Sequence, residues 1–255
     1  METIFFNVSQ WQPSMVSGCM HPAVARMMRD PTRIDFQDPE CQKKRKGTVT
    51  ATDVNTLVHS LPIRGENKYR TVTQLIYKKM HISEREENEA IAHGVKHEAE
   101  ALRLYETATG NKLVEEHIGF VNVGIVGATP DACCRDLPIL VEVKCPFYGQ
   151  DRMSQDVPDI YWPQIQTQMA VAQIPTCHFV RYWPETPCEK AFMNIVEVKF
   201  DPDWWRRALV AIQLFYDQLQ RYIEGKELLP PPPPAKKRAN RTKALKPKKK
   251  QRCFV

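Results

Sequence analysis

Apolar and polar positions follow two different periods along this chain. From Glu89 to Thr109 apolar residues recur at helical spacing, with Ile91, Val95, Leu102 and Tyr105 on one stripe and Gly110 placed as a C-cap. Ile139–Lys144 is instead a short run of β-favouring residues, Ile-Leu-Val-Glu-Val-Lys, which predicts a strand buried on both faces. Residues 112–123 and 124–132 are predicted to lead into it as two strands, completing a three-stranded meander. A helix follows at 161–173, then strands at 176–182 and 192–200 joined by a Pro-rich loop. Asp201-Pro202-Asp203 opens a last helix reaching about residue 224, with Leu209, Ile212, Phe215, Leu219 and Tyr222 near one face. Helices flanking a central mixed sheet, an α/β architecture, are what this order implies.

The N-terminal 40 residues are poorly patterned; Trp11, Met15, Met20, Met27 and Met28, with a short helix at 21–29, suggest an accessory packing segment. Residues 41–229 form the expected globular domain, and 230–255 a tail. Five prolines at 230–234 give a stiff extended linker. Ten Lys and Arg follow with no acid, so the overall charge of +6 belongs to the tail and the rest of the chain holds 26 basic against 30 acidic residues. Lys236-Lys-Arg238 and Lys246-Pro-Lys-Lys-Lys250 resemble a nuclear localisation signal, with non-specific DNA attachment as the other reading. No apolar run reaches membrane-spanning length and no leader pattern opens the chain, so neither secretion nor membrane insertion is expected. The eight cysteines form no Cys-x-x-Cys pair and read as free thiols, and Cys145 lacks a matched histidine base.

Candidate chemistry gathers around the strand at 139–144. Glu142 and Lys144 are two apart, so both side chains leave one face. On the strand alone a Glu–Lys pair at a wet end explains them equally well. Gly127-Ala-Thr-Pro-Asp131 puts a third charge after a turn at the edge of the neighbouring strand, giving Asp-(x)10-Glu-x-Lys. Two converging carboxylates make an oxygen-lined site for a hard divalent cation, and an adjacent ammonium can orient water or neutralise charge on a phosphate. Glu98 falls within the apolar stripe of its helix, where a carboxylate needs a cation or a proton. Gln164 and Gln168 share a helix face, whereas Gln166 points elsewhere. Gln42–Val54 runs from a basic cluster into Thr and Asp that can cap the helix of residues 54–58, a combination able to bind phosphate. The basic segment at 65–82 can line a DNA groove or simply be solvated.

Four motifs in order carry a resemblance to the YqaJ-type viral recombinase family, which contains the phage lambda exonuclease and belongs to the PD-(D/E)xK nucleases. They are Gly94-Val-Lys-His-Glu98-Ala-Glu-Ala-Leu-Arg-Leu-Tyr105, Gly127-Ala-Thr-Pro-Asp131, Glu142-Val-Lys144-Cys-Pro and Tyr161-Trp-Pro-Gln164-Ile-Gln166-Thr-Gln168-Met169. The resemblance covers roughly residues 40–225. It implies a restriction-endonuclease-like core and a Mg²⁺-dependent 5′→3′ exonuclease on linear duplex DNA, serving recombination, repair or viral DNA processing. One or two Mg²⁺ ions, with Mn²⁺ as substitute, would be bound by Glu98, Asp131, Glu142 and the carbonyl of Val143, with Lys144 assisting the water. The functional glutamine aligns with Gln166, and Gln164 is the second choice. A 5′-phosphate pocket carries over to Arg45, Thr52 and Thr129. The resemblance further implies a trimer and a single-strand annealing partner. Two rival readings are an endonuclease or single-strand nuclease of the same fold, and a non-catalytic DNA-binding protein.

Overall fold

The computed structural model describes residues 20–35, 38–59, 61–65, 71–80, 89–147, 154, 156–187 and 190–231. The basic tail, Lys68–Arg70, and Trp11 and Met15 lie outside the described residues. Helices α1 (Pro22–Met28) and α2 (Pro39–Gly47) come first, each starting on a proline just after its N-cap. The basic cluster at 43–46 is therefore the end of a helix, with Asp38 Oδ1 accepting from Glu40 N at 2.8 Å to fix its start. Strand β1 (Val49–Thr50) leads directly into α3 (Ala51–Val58), and α4 (Val72–Lys79) and α5 (Glu89–Thr109) follow.

The predicted meander is not formed. Residues 112–120 make only isolated bridges, Leu113 to Cys134 and Phe120 to Ile34. The hairpin β2 (Val121–Val123) and β3 (Val126–Ala128) joins a small sheet of order β1-β3-β2, in which β1 and β3 are parallel. Only β4 (Ala132–Cys133) pairs with β5 (Ile139–Lys144). Their sheet continues through β6 (Thr176–Trp183) and β7 (Phe192–Lys199), with β5 and β6 parallel and both outer pairs antiparallel. Between β5 and β6 the chain crosses through α6 (Trp162–Ala172), and α7 (Pro202–Ile223) closes the domain.

Side-chain alternation divides the core in two. Leu140, Cys177, Phe179 and Val198 pack with Ile165 and Met169 of α6 and with Trp204, Ile212 and Leu219 of α7. On the opposite face Val141, Val143, Val180 and Tyr182 pack against Ala101 and Tyr105 of α5. The apolar stripe of α5 is thus shorter than its periodicity predicts: Ile91 and Val95 are exposed, and burial begins near Glu98, which is itself half-buried. Helix α1 inserts Val24 and Met27 into the larger core.

Candidate active site

Glu142 stands on the same face of β5 as Leu140, the face covered by α6. It is fully buried, and an ionised carboxylate there requires compensation. Helix α6 supplies two amides one turn apart. Gln164 donates to Oε1, and Gln168 Nε2 donates to Oε2 at 2.6 Å. The Lys144 ammonium also donates to Oε1. Asp131 sits just before β4, and its Oδ2 accepts from the backbone N–H of Val143 at 2.7 Å, which fixes it beside the same strand.

The electrostatics are those of crowded anions around one cation. Burial raises the Asp131 pKa well above the ordinary carboxylate range, and the charges of Glu142 and Glu98 push it further. Glu98 is raised as well, first by burial and then by Glu142. Burial would lower the Lys144 pKa, but the carboxylates of Glu142 and Asp131 outweigh it and hold the side chain as ammonium. Its Nζ also lies 5.5 Å from the Tyr161 ring centroid, a cation–π contact. Held as ammonium, Lys144 is suited to neutralise charge or orient a water.

An all-oxygen, net-negative donor set of this kind fits a hard divalent cation in charge and chemistry. Among the described residues, however, no three His, Cys, Asp or Glu side chains are grouped so as to hold an ion. Both Glu142 oxygens accept N–H donors, and Glu98, on α5, acts on Glu142 and Asp131 through its charge.

A second corner lies at the C-terminal ends of the parallel strands β1 and β3. Thr50 is in register with Gly127, and Thr129 follows β3. One guanidinium N–H of Arg45 donates to Thr129 Oγ1 at 2.7 Å, and the guanidinium lies 5.4 Å from the centroid of the buried Phe120 ring. Thr52 is exposed in the first turn of α3, its hydroxyl 3.1 Å from that of Thr50. Gly127 is required here because a Cβ would fall 2.1 Å from Phe120 Cζ. Gly127→Ala is expected to cost about 1–3 kcal/mol by forcing that ring aside. A shift of the urea midpoint at unchanged slope measures it.

The structure thus brings together Asp131, Glu142, Lys144 and Gln164, and separately Arg45 and Thr129 with Thr52 nearby. It does not bring Gln166 to either group. Gln166 Nε2 donates to Lys199 O at 3.0 Å and its Oε1 accepts from Asp201 N at 2.8 Å, so this amide ties α6 to the β7–α7 junction. The helix-face argument, which groups Gln164 with Gln168, describes the geometry better than the alignment that favours Gln166. Two further residues carry only weak sequence signals: Gln168, which donates to Glu142, shares a helix face with Gln164, and Lys79, which donates to the Arg45 carbonyl at 2.9 Å, lies in a basic segment.

A mixed sheet with its acids at the β4–β5 pair and a glutamine-bearing helix across one face is the restriction-endonuclease-like architecture of phage-type exonucleases. The family model described as the YqaJ-like viral recombinase domain matches residues 40–175, and the chain belongs to that family. The alkaline exonuclease LHK-Exo from Laribacter hongkongensis is similar at 25% identity and a TM-score of 0.58, with 74% of this chain and 96% of that one covered. A phage-related exonuclease from Haemophilus somnus 129PT shares the fold at 14% identity and a TM-score of 0.51, covering 69% of this chain and 96% of its own. No curated protein matches the chain. No helix among the described residues is long and apolar enough to cross a membrane.

Proposed function

We propose that this nuclease is a divalent-metal-dependent deoxyribonuclease that digests linear duplex DNA from 5′-phosphorylated ends. The observation that carries the reading is the buried Glu142 carboxylate, gripped by Lys144, Gln164 and Gln168 beside a proton-hungry Asp131. A domain that only bound DNA would gain nothing from acids held together at such cost. LHK-Exo, which shares this fold, has been crystallised in complex with dAMP, in keeping with a deoxynucleotide ligand.

Glu98, Asp131, Glu142 and the Val143 carbonyl would hold one or two ions, Mg²⁺ by preference and Mn²⁺ as substitute. When bound, such an ion would supply Lewis acidity and positive charge at the phosphate. The protein's own part is orientation. Lys144, fixed by Glu142, presents an ammonium to a phosphate oxygen or to the attacking water. Gln164 keeps Glu142 in place without adding charge. Arg45, Thr129 and the exposed hydroxyl of Thr52 receive the terminal 5′-phosphate, so the hydrolytic group meets the bond on its 3′ side.

Digestion of end-labelled linear duplex with and without Mg²⁺ tests this. Loss of 5′ label only when Mg²⁺ is present is the expected result; release of 3′ label first, or cutting of covalently closed circles, would replace 5′→3′ exonuclease by another nuclease activity. Arg45→Ala is expected to slow 5′-phosphoryl ends about 10–100-fold, the equivalent of a lost charge-assisted hydrogen-bond pair. Equal slowing on 5′-hydroxyl ends would remove Arg45 from end recognition.

A further inference from the structure

Gln168 is almost fully buried, yet its amide is only half used. Its Nε2 is shared between Glu142 Oε2 at 2.6 Å and the carbonyl of Thr129 at 3.5 Å. Its Oε1 is buried and has no partner among the described residues. An orphaned acceptor of this kind destabilises a fold, and a glutamine kept only for packing would be better replaced by an apolar residue of the same length. Gln164, one turn away, makes the comparison sharp: it touches the same carboxylate but not Thr129.

The Nε2 of Gln168 therefore stands where the two corners of the site meet. On one side, Thr129 carries the hydroxyl bound by Arg45. On the other, Glu142 anchors Lys144. We propose that Gln168 is a positioning residue that ties the Arg45–Thr129 corner to Glu142, so that a phosphate held at one corner aligns the scissile bond at the other. The inference rests on the reading of the site as a nuclease that recognises 5′-phosphorylated ends. Alignment of this kind is worth much, since misplacement by about 1 Å can cost about 10²-fold in rate.

The test compares Gln168→Met with Gln164→Met on duplexes differing only in a 5′-phosphate or 5′-hydroxyl. Gln168→Met is expected to lower kcat on 5′-phosphoryl ends about 10–100-fold and to bring the phosphoryl-to-hydroxyl preference at least about fivefold closer to one, with KM little changed. Gln168→Met removes the unpaired acceptor but also the donor to Glu142 Oε2, so its Tm should fall to about the level of Gln164→Met, which takes a donor from the same carboxylate. Gln164→Met should slow both ends alike and keep the preference. A preference retained in Gln168→Met but abolished in Arg45→Ala would overturn the coupling alone. An equal loss of preference in Gln164→Met would overturn it too, because it would follow from loosening Glu142 alone. A wild-type enzyme indifferent to the 5′-phosphate would overturn the end-recognition reading and the coupling with it.

Discussion

Asp131→Asn is expected to lose nuclease activity by about 10³-fold or more while making the ion-free protein more stable. The two effects have one cause. Asparagine is nearly isosteric and can still accept from the Val143 N–H, so the turn before β4 keeps its geometry. What disappears is a carboxylate whose ionisation is opposed by burial and by the charges of Glu142 and Glu98. Its pKa is raised in the folded state, so the folded protein holds that proton more tightly than the unfolded chain does. The ionisation is then a cost at neutral pH, relieved as pH falls through the folded pKa toward the unfolded value near about 3.9. With a chelator present, the wild type should gain stability over that window, and Asp131→Asn should lack the gain. At neutral pH the variant should be more stable by about 1 kcal/mol. Thermal unfolding against pH reads both, and a variant less stable than the wild type would refute the account of this residue.

Lys79→Met is expected to cost about 3–5 kcal/mol. Lys79 ends α4 buried, with Nζ 2.6 Å from Asp53 Oδ2 and donating to the carbonyl of Arg45 at 2.9 Å and to that of Thr48. Asp53 is fully buried as well; it also accepts from Lys78 at 3.0 Å and from the N–H and hydroxyl of Thr50. Burial would raise the Asp53 pKa, but the ammonium groups of Lys79 and Lys78 overrule it and hold the carboxyl below its ordinary range. A carboxyl with a depressed folded pKa contributes stability above its unfolded value, and that contribution is lost as pH falls through the folded one. Methionine would take the buried cation from this anion, leaving it the partly exposed Lys78 and Thr50, and would strand two carbonyls at the join of α2 and α3. Asp53→Asn combined with Lys79→Met should recover part of the loss, because the fully buried carboxylate is removed along with its buried cation. A single-variant cost below about 1 kcal/mol, read from urea unfolding, would show the pair to be dispensable.

The parts of the fold legible in the sequence were the long, strongly periodic ones: α5, α6, α7 and the strands β5, β6 and β7. Their signals are local. What was not legible depends on contacts distant in sequence. The parallel pairing of β1 with β3 joins Val49 to Val126, and no local pattern announces it. Residues 112–120 carry strand-like residues, but only single bridges are available to them. Periodicity put Ile91 and Val95 on the Glu98 face of α5 without revealing that the helix packs on the sheet only from there onward. At the site, Asp131, Glu142 and Lys144 were legible because costly charges sit beside an apolar strand at a spacing of two. The Asp53–Lys79 pair was not, since a loop and a helix separate its partners and each alone looks like an ordinary surface charge.

Calorimetric titration of Mn²⁺ into the wild-type protein and into Asp131→Asn tests the central claim most directly. Saturable binding in the wild type, lost in Asp131→Asn, is the predicted result. Wild-type affinity retained in Asp131→Asn would contradict the assignment of these acids as the metal centre of the nuclease.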